Sequence, residues 1–470
     1  MSLSLRRFVA FRDTPRSTPR NTPATGADAL PGAPVFLPNP RRILWPTVVT
    51  LVLLLPGLYP LPALRDSMNG LGFDGARLVV STGYLRLAPI FNVLDALSLL
   101  TLPQHYGVIG SVLVLWLVGR LRLAGRTATP VRWMRELLDF LGVMAGIVAV
   151  YAIGILVPRP MAKLQVFDPE LVVVDFHSHT LASHDGRPGF DAERNRAWHK
   201  AAGFHVSYIT DHLSSEGAPS WREAEKGLAA NPPRSGEGTI IAVGIEAHSN
   251  GTHVNVLGAR PADLGLFGPA DHLKAKARLA SGPPPVVLQT IPADLALFAR
   301  EKLDSVTPTI AMEVNDAAPR GLAQNLRDRP QILRMVDSLN LAPLAGSDNH
   351  GWGRTAAAWS LVKVPGWHSL PPNVLAARIE EIIRTQRRFA VRTIERRTPQ
   401  VGPPVSELVF TLPALLYDLN ASISAMERLS WILWVWGLAF IGPWMRFIFV
   451  RRLAIRRIAR DAAAASKHLP

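Results

Sequence analysis

Thirteen histidines and no cysteine define the metal chemistry open to this 470-residue chain. His177 and His179 lie two apart in VVVDFHSHTLASHDG, with His184 and Asp185 just beyond. Asp211 and His212 close ITDH, Glu246 and His248 lie in GIEAH, His253 opens HVNVLG, and Asp348 and His350 end GSDNH. Side chains two apart on a strand project from one face, so His177 and His179 can reach one ion together. Imidazole and carboxylate ligands without thiolate suit Zn, Mn or Fe, and a set this large can hold more than one ion, with Glu246 able to bridge. The missing cysteine excludes disulfides, thiolate catalysis and Cys-ligated zinc.

These clusters arrive where apolar, β-branched runs end. The runs are Leu171 to Val174, His205 to Ile209, Thr239 to Ile245, His253 to Leu257, Pro285 to Leu288, Thr309 to Val314, Leu341 to Ala345 and Ser360 to Val364. Helix-like stretches alternate with them: Ala192 to Ala202, Ala270 to Leu279, Ile291 to Leu303, Gly321 to Leu339 and Val374 to Thr385. Such alternation predicts an α/β domain with a parallel sheet, open or closed into a barrel, and barrel enzymes collect their sites at the ends of the strands. The domain is expected over 158–397.

The rest of the chain is apolar or basic. Hydrophobic residues make up 48% of the sequence and the formal net charge is +15. The arginines cluster beside apolar stretches, so the charge is read as membrane topology and no nucleic-acid partner is expected. A disordered basic leader is expected over 1–42, and a membrane region with about three transmembrane helices over 43–157. The three spans there are Ile43 to Leu64, Tyr106 to Gly119 and Leu137 to Val157, with Arg65 to Arg86 a mixed-charge loop and Leu87 to Thr101 a helix at the interface or against the other spans. A linker over 398–428, a fourth helix over 429–450 and a basic tail over 451–470 complete the chain. With the leader, the Arg120 to Arg135 loop and the tail all cytoplasmic, the soluble domain falls on the opposite side. In a bacterial cell it is then held at the inner membrane, on the periplasmic or extracellular side.

DFHSHT with SHDG, then ITDH, GIE, HVNVLG and GSDNH, in that order, resemble the motifs of the PHP (polymerase and histidinol phosphatase) family of metal-dependent phosphoesterases. RNRAWHKAAGFHVSYITDH is similar to the helix, glycine turn and strand that lead to the family's TDH. The resemblance covers about Val172 to His350. It implies a distorted seven-stranded β/α barrel carrying two or three divalent ions, here joined to about four transmembrane helices. By position, His177, His179, Glu246 and Asp348 would hold one ion, and His212 and His350 another together with either His184 or Asp185. The third would use Glu246, His253 and a further histidine, but this chain has Gln289 in that place, and His248 is the alternative recruit. An amide oxygen is a poorer ligand than imidazole. A two-ion site still suffices for hydrolysis of a phosphoester by a metal-activated water.

Other residues have two readings. Arg354, beside Trp352 just past GSDNH, is the candidate catalytic clamp for phosphate, against a merely solvated loop arginine. Glu313 and Asn315 either orient ligand histidines or cap helices. His199 is read as a surface residue of its helix. The function expected is a membrane-anchored metal-dependent phosphoesterase, for which lipid-linked or envelope phosphoesters are candidate substrates. Its rival is a non-catalytic metal or ligand sensor signalling through the membrane, which Gln289 favours.

Overall fold

The computed structural model describes residues 40–441 apart from 124–129, 213–220, 250–251, 259–282, 305–308 and 400–403, with isolated positions beyond 441. The basic leader up to residue 39, the end of the basic tail and the helix expected at Ala270 to Leu279 lie outside the described residues. The N-terminal third comprises α1 (Pro40–Leu54), β1 (Leu64–Asp66), β2 (Ala76–Val79), α2 (Thr82–Arg86), α3 (Ala88–Leu97), α4 (Leu102–Leu123), α5 (Pro130–Leu156) and β3 (Lys163–Val166). There follow β4 (Leu171–Ser178), α6 (Ala192–Ala202), β5 (Val206–Ile209), α7 (Trp221–Ala229), β6 (Ile240–Ser249), β7 (Thr252–Leu257), β8 (Val286–Gln289) and α8 (Leu295–Asp304). The chain continues through β9 (Ala311–Asp316), α9 (Pro319–Ser338), β10 (Ala342–Gly346), β11 (Ala358–Lys363), α10 (Pro372–Gln386), β12 (Arg392–Arg396) and α11 (Pro404–Ser422), and ends in α12 (Ala425–Ile441).

Ten strands form one curled sheet in the order β1-β12-β11-β4-β5-β6-β7-β8-β9-β10. Its mixed character departs from the parallel sheet expected. β4, β5 and β6 run parallel, as do β8, β9 and β10, while β11, β12 and β1 pair antiparallel on the other side of β4, and within the run from β4 to β10 β7 is antiparallel to both its neighbours. The cause is local: only Asn250 and Gly251 separate β6 from β7, the residue pair that favours a tight hairpin over a crossover. Beyond β10 the chain returns to β4, where the Asp348 amide donates to the His177 carbonyl at 2.9 Å and Ser178 bridges Asn349. Val172, Val174, Phe176, Tyr208, Leu288 and Leu344 share the buried core within the curl. Trp198 of α6 packs on the outer side with Val173 and Trp359.

Outside this core the expectations needed revision. The stretch expected as a loop, Arg65 to Arg86, contributes β1 to the edge of the sheet beside β12, and β2 to a ribbon with β3. Strands of three and four residues are too short to show alternation, and β1 finds its partner only at the far end of the domain. The linker expected over 398–428 is largely helical, with Pro404 at the start of α11, where no intrahelical N–H is needed. Two helical segments, Leu102–Arg122 and Trp133–Leu156, are long and apolar enough to cross a membrane. The first expected span is shorter, helical only over Ile43–Leu58, because Pro56, Pro60 and Pro62 end the regular hydrogen bonding. α11 and α12 qualify only as a pair, bent by 117° at their junction. α12 lies against α1, where Trp436 Nε1 donates to Thr50 Oγ1 at 3.0 Å.

Candidate metal centre

β4 delivers the first two histidines through an irregularity. Asp175 meets His199 of α6 at 2.7 Å, and Ser178 meets Asn195 of α6 at 3.1 Å, so residues three apart face the same helix. Strict alternation forbids that. The shift in the β4–β5 register between Asp175 and Ser178 supplies the extra residue, turning His177 and His179 away from α6. Asp175 also accepts the backbone amides of His177 and Ser347 at 3.1 and 3.0 Å, tying β4 to the loop that carries Asp348 and His350. Asp348 has a positive φ of 43°, a conformation that aspartate tolerates better than most residues.

Five distances among His177 Nε2, His179 Nε2, Glu246 Oε2 and Asp348 Oδ1 are 3.0, 3.2, 3.4, 3.1 and 3.2 Å. Ligands at about 2.0–2.1 Å from a tetrahedral ion lie about 3.3 Å from one another. His177, His179 and Glu246 therefore fit one divalent ion, and Asp348 Oδ1 stands at ligand spacing from both imidazole nitrogens. The opposite ring nitrogens are engaged: His177 Nδ1 lies 3.1 Å from Glu313 Oε1, and His179 Nδ1 lies 3.0 Å from Ser183 Oγ, which donates to Asp211 at 2.9 Å. This fixes the tautomer with Nε2 free to bind. Glu313, which the sequence left between two readings, thus orients His177, and its Oε2 accepts the Ile291 amide at 3.0 Å. Asn315 instead donates to Glu395 at 2.7 Å, away from the cluster.

A second group forms beside the first. The rings of His179 and His350 stack at 4.0 Å, and one ring nitrogen from each of His179, His212 and His350 lies within 4.8 Å of the others. His350 Nδ1 contacts the Asp348 carbonyl at 3.0 Å, while its buried Nε2 has no aligned hydrogen-bond partner although Asp185 Oδ1 lies only 3.0 Å away. Close approach without alignment is the arrangement of two atoms aimed at a shared centre. Asp185 also reaches His212 Nε2 at 4.0 Å, and the exposed His184 joins them, one ligand atom from each of His184, Asp185 and His212 lying within 4.8 Å of the others.

Glu246 faces both ways. Its Oε2 belongs to the first group, and its Oε1 meets His253 Nδ1 at 2.7 Å. His212 Nδ1 lies 3.4 Å from Oε2, so His212, Glu246 and His253 form a third group. Gln289 adds nothing visible to it, because its amide nitrogen donates to the carbonyls of His253 and Thr290 at 2.8 and 3.0 Å. The His248 side chain lies outside the described residues.

The electrostatics call for positive charge at the centre. Burial works to lower His177 and His179, but Glu246 and Asp348, aided at His177 by Glu313, outweigh it. His177 is raised well above its ordinary value and His179 to about 9. Burial would raise Glu246, yet the two histidines and His253 hold it well below the usual carboxylate range. Burial dominates at His212 and His350 and lowers both, keeping them neutral as ligands must be. Two imidazolium nitrogens 3.0 Å apart would repel, and one divalent ion answers the same field without that cost.

Two assignments change. Arg354, expected to clamp phosphate, donates to the Ile155 carbonyl at 3.2 Å, where the last turn of α5 leaves carbonyls unpaired. Arg187 is instead beside the centre: its amide donates to the His350 carbonyl at 2.8 Å, and its guanidinium lies 5.3 Å over the half-exposed Trp352. Its place next to HDG was the available signal. His199, expected at the surface, is fully buried against Asp175 and Ser207, because Ala192, Asn195, His199 and Ala202 form the inner stripe of α6.

No family model matches the chain, and no curated protein matches it significantly. Among solved structures it is similar to PsfC from Pseudomonas syringae, with 17% identity and a TM-score of 0.34, over 53% of this chain and 98% of that one. A lesion-specific endonuclease from Pyrococcus furiosus matches with 13% identity and a TM-score of 0.30, over 44% of this chain and 56% of the other. An amidohydrolase from Chromobacterium violaceum matches with 16% identity and a TM-score of 0.25, over 44% and 96%.

Proposed function

We propose that this protein is a membrane-anchored, metal-dependent phosphoesterase of the PHP type, in which β4 to β10 act as the seven-stranded barrel. The observation that carries the reading is the convergence of His177, His179 and Glu246 at the ligand spacing of one ion, with Asp348 at the same spacing from both imidazoles and both Nδ1 atoms already engaged. His212, His350 and Asp185 are assigned to a second ion, and Glu246 to the edge it shares with His253. Divalent ions bound there would supply Lewis acidity, acidifying water and taking up charge on the phosphoryl oxygens.

The chain's own groups prepare that chemistry. Glu313 and Ser183 hold the imidazoles, and Asp175 keeps the two ligand-bearing segments in register. Arg187, held over Trp352, takes the phosphate-binding role first assigned to Arg354, since a planar guanidinium matches phosphate oxygens. Three of the proposed ligands are buried, which sharpens every charge in the site.

The anchoring is proposed from α4 and α5 together with α1 and α12. Because β1 pairs with β12 and Asp95 of α3 accepts from Thr355 at 2.8 Å, residues 64–97 share one side of any bilayer with the α/β domain. In this reading α1 also crosses, which puts the leader opposite, on the cytoplasmic side, and the domain on the periplasmic or external side. Lipid-linked or envelope phosphoesters are the substrate class that such tethering favours. The test is turnover: metal-loaded full chain assayed against phosphomonoesters and phosphodiesters, with no hydrolysis of any member overturning the reading.

The sensor reading draws on the same Asp95–Thr355 tie, which joins α3 to the loop following His350. Under that reading the His177→Ala/His179→Ala protein loses metal and a cellular response, and the wild type turns over no phosphoester.

A further inference from the structure

A cavity of about 310 Å³ lies where β1, β2 and β12 meet α3, α11 and the turn into α12. None of the proposed metal ligands lines it. One wall is apolar, with Leu99 from the turn after α3 and Leu415 and Leu419 from α11. The other is charged but balanced: Arg77, Arg396 and Arg397 against Asp74, Asp418 and Glu427. Arg397 Nε donates to Asp418 at 2.9 Å, and buried Asn92 donates to Glu427 at 2.6 Å, so the charged wall is ordered.

The outward side of α11 indicates what adjoins the cavity. Val405, Leu408, Val409 and Leu416 share one face of α11 and are each at least half exposed, an apolar face unsuited to water. Leu408 and Glu407 also press on Gly107 of α4, so α11 leans on a helix able to cross the bilayer. A space bounded on one side by α11, itself packed against α4, and on the other by a neutralised charged wall suits an amphiphile with a zwitterionic head.

We infer that this cavity binds one phospholipid of the adjoining leaflet. Its zwitterionic headgroup sits among Arg396, Arg397 and Glu427, and the start of one acyl chain lies along Leu99, Leu415 and Leu419. The volume is at the low end of ligand sites, enough for a head and a chain segment while the remaining lipid stays in the bilayer. The inference rests on the membrane reading above and is independent of the hydrolytic one.

The test is native mass spectrometry of the full chain in dodecyl maltoside, titrated with phosphatidylethanolamine and, separately, phosphatidylglycerol. Ala96→Phe and Ser422→Phe place a ring in the cavity from two different elements. The wild type should show one saturable phosphatidylethanolamine adduct, weakened at least tenfold in both variants with metal content unchanged, and His177→Ala should keep the adduct. No saturable adduct in the wild type, or equal adducts in wild type and both filled variants, overturns the inference. Preference for phosphatidylglycerol overturns the zwitterionic headgroup. Release of the chain from membranes by alkaline carbonate overturns the membrane reading beneath it, an outcome separate from loss of phosphoester turnover.

Discussion

Replacing Glu313 by Gln isolates what holds His177 in place. Both carboxylate oxygens are used, one at 3.1 Å from His177 Nδ1 and one at 3.0 Å from the Ile291 amide, and the side chain is fully buried. An amide of the same shape can accept only one of these two N–H groups and turns its NH2 towards the other. The variant therefore loses one buried hydrogen bond and the charge that raises the basicity of His177. Removing a partner of this kind costs about 10–100-fold in metal affinity, or about 1.4–2.7 kcal/mol. Competition with a chromophoric chelator reads the affinity directly. The first Zn or Mn equivalent should bind at least tenfold more weakly in Glu313→Gln, while later equivalents change less and the apo-protein's melting temperature falls little. First-equivalent affinity within threefold of wild type would refute the role assigned to Glu313.

Four further outcomes follow. Gly346→Ala should abolish binding of the first ion in the same titration, since a Cβ there would lie 2.0 Å from Glu313 Oε1 and 2.6 Å from His177 Cβ. Arg187→Ala should raise KM for a hydrolysed phosphoester about tenfold or more, the worth of a charge-assisted hydrogen bond, while Arg354→Ala leaves steady-state kinetics unchanged. Burial, with His368 and Lys163 adding to it, pushes His205 down to about 4, and its Nδ1 accepts the Val173 amide at 3.1 Å. A group depressed in the folded state resists a proton that the unfolded chain accepts, so stability falls as pH drops from about 6.5 towards 4, by about 3 kcal/mol in all; His205→Asn should flatten that part of a melting profile. His199→Leu strands the buried Asp175 carboxylate and should lower stability by about 3 kcal/mol in denaturant titration.

Much of the candidate centre was legible because the residues that gather there arrive at strand ends in short motifs. The strands read at Leu171, His205, Thr239, His253, Pro285, Thr309, Leu341 and Ser360 all occur, their bounds shifted by a few residues at most at their starts. What escaped depends on long-range geometry. The register shift in β4 becomes visible only when Asp175 and Ser178 are both seen against α6. β1 pairs with a strand near the end of the domain, and its three residues show no pattern of their own. His199 was misread because a histidine among Arg, Lys and Trp resembles a solvated face, although Ala192, Asn195 and Ala202 mark the buried stripe. Arg354 and Arg187 illustrate a related limit: both flank metal motifs, and only the fold turns one to a helix end and the other to the centre.

The central claim is that His177, His179, Glu246 and Asp348 hold an ion on which phosphoester hydrolysis depends. It is tested most directly by measuring metal content and phosphoester turnover on the same full-length preparations, before and after chelation and in the His177→Ala/His179→Ala variant. The account predicts at least two divalent ions per chain, turnover that disappears with chelation and returns with Zn or Mn, and a variant lacking both an ion and activity. Turnover that survives in the metal-depleted chain or in the variant would contradict it.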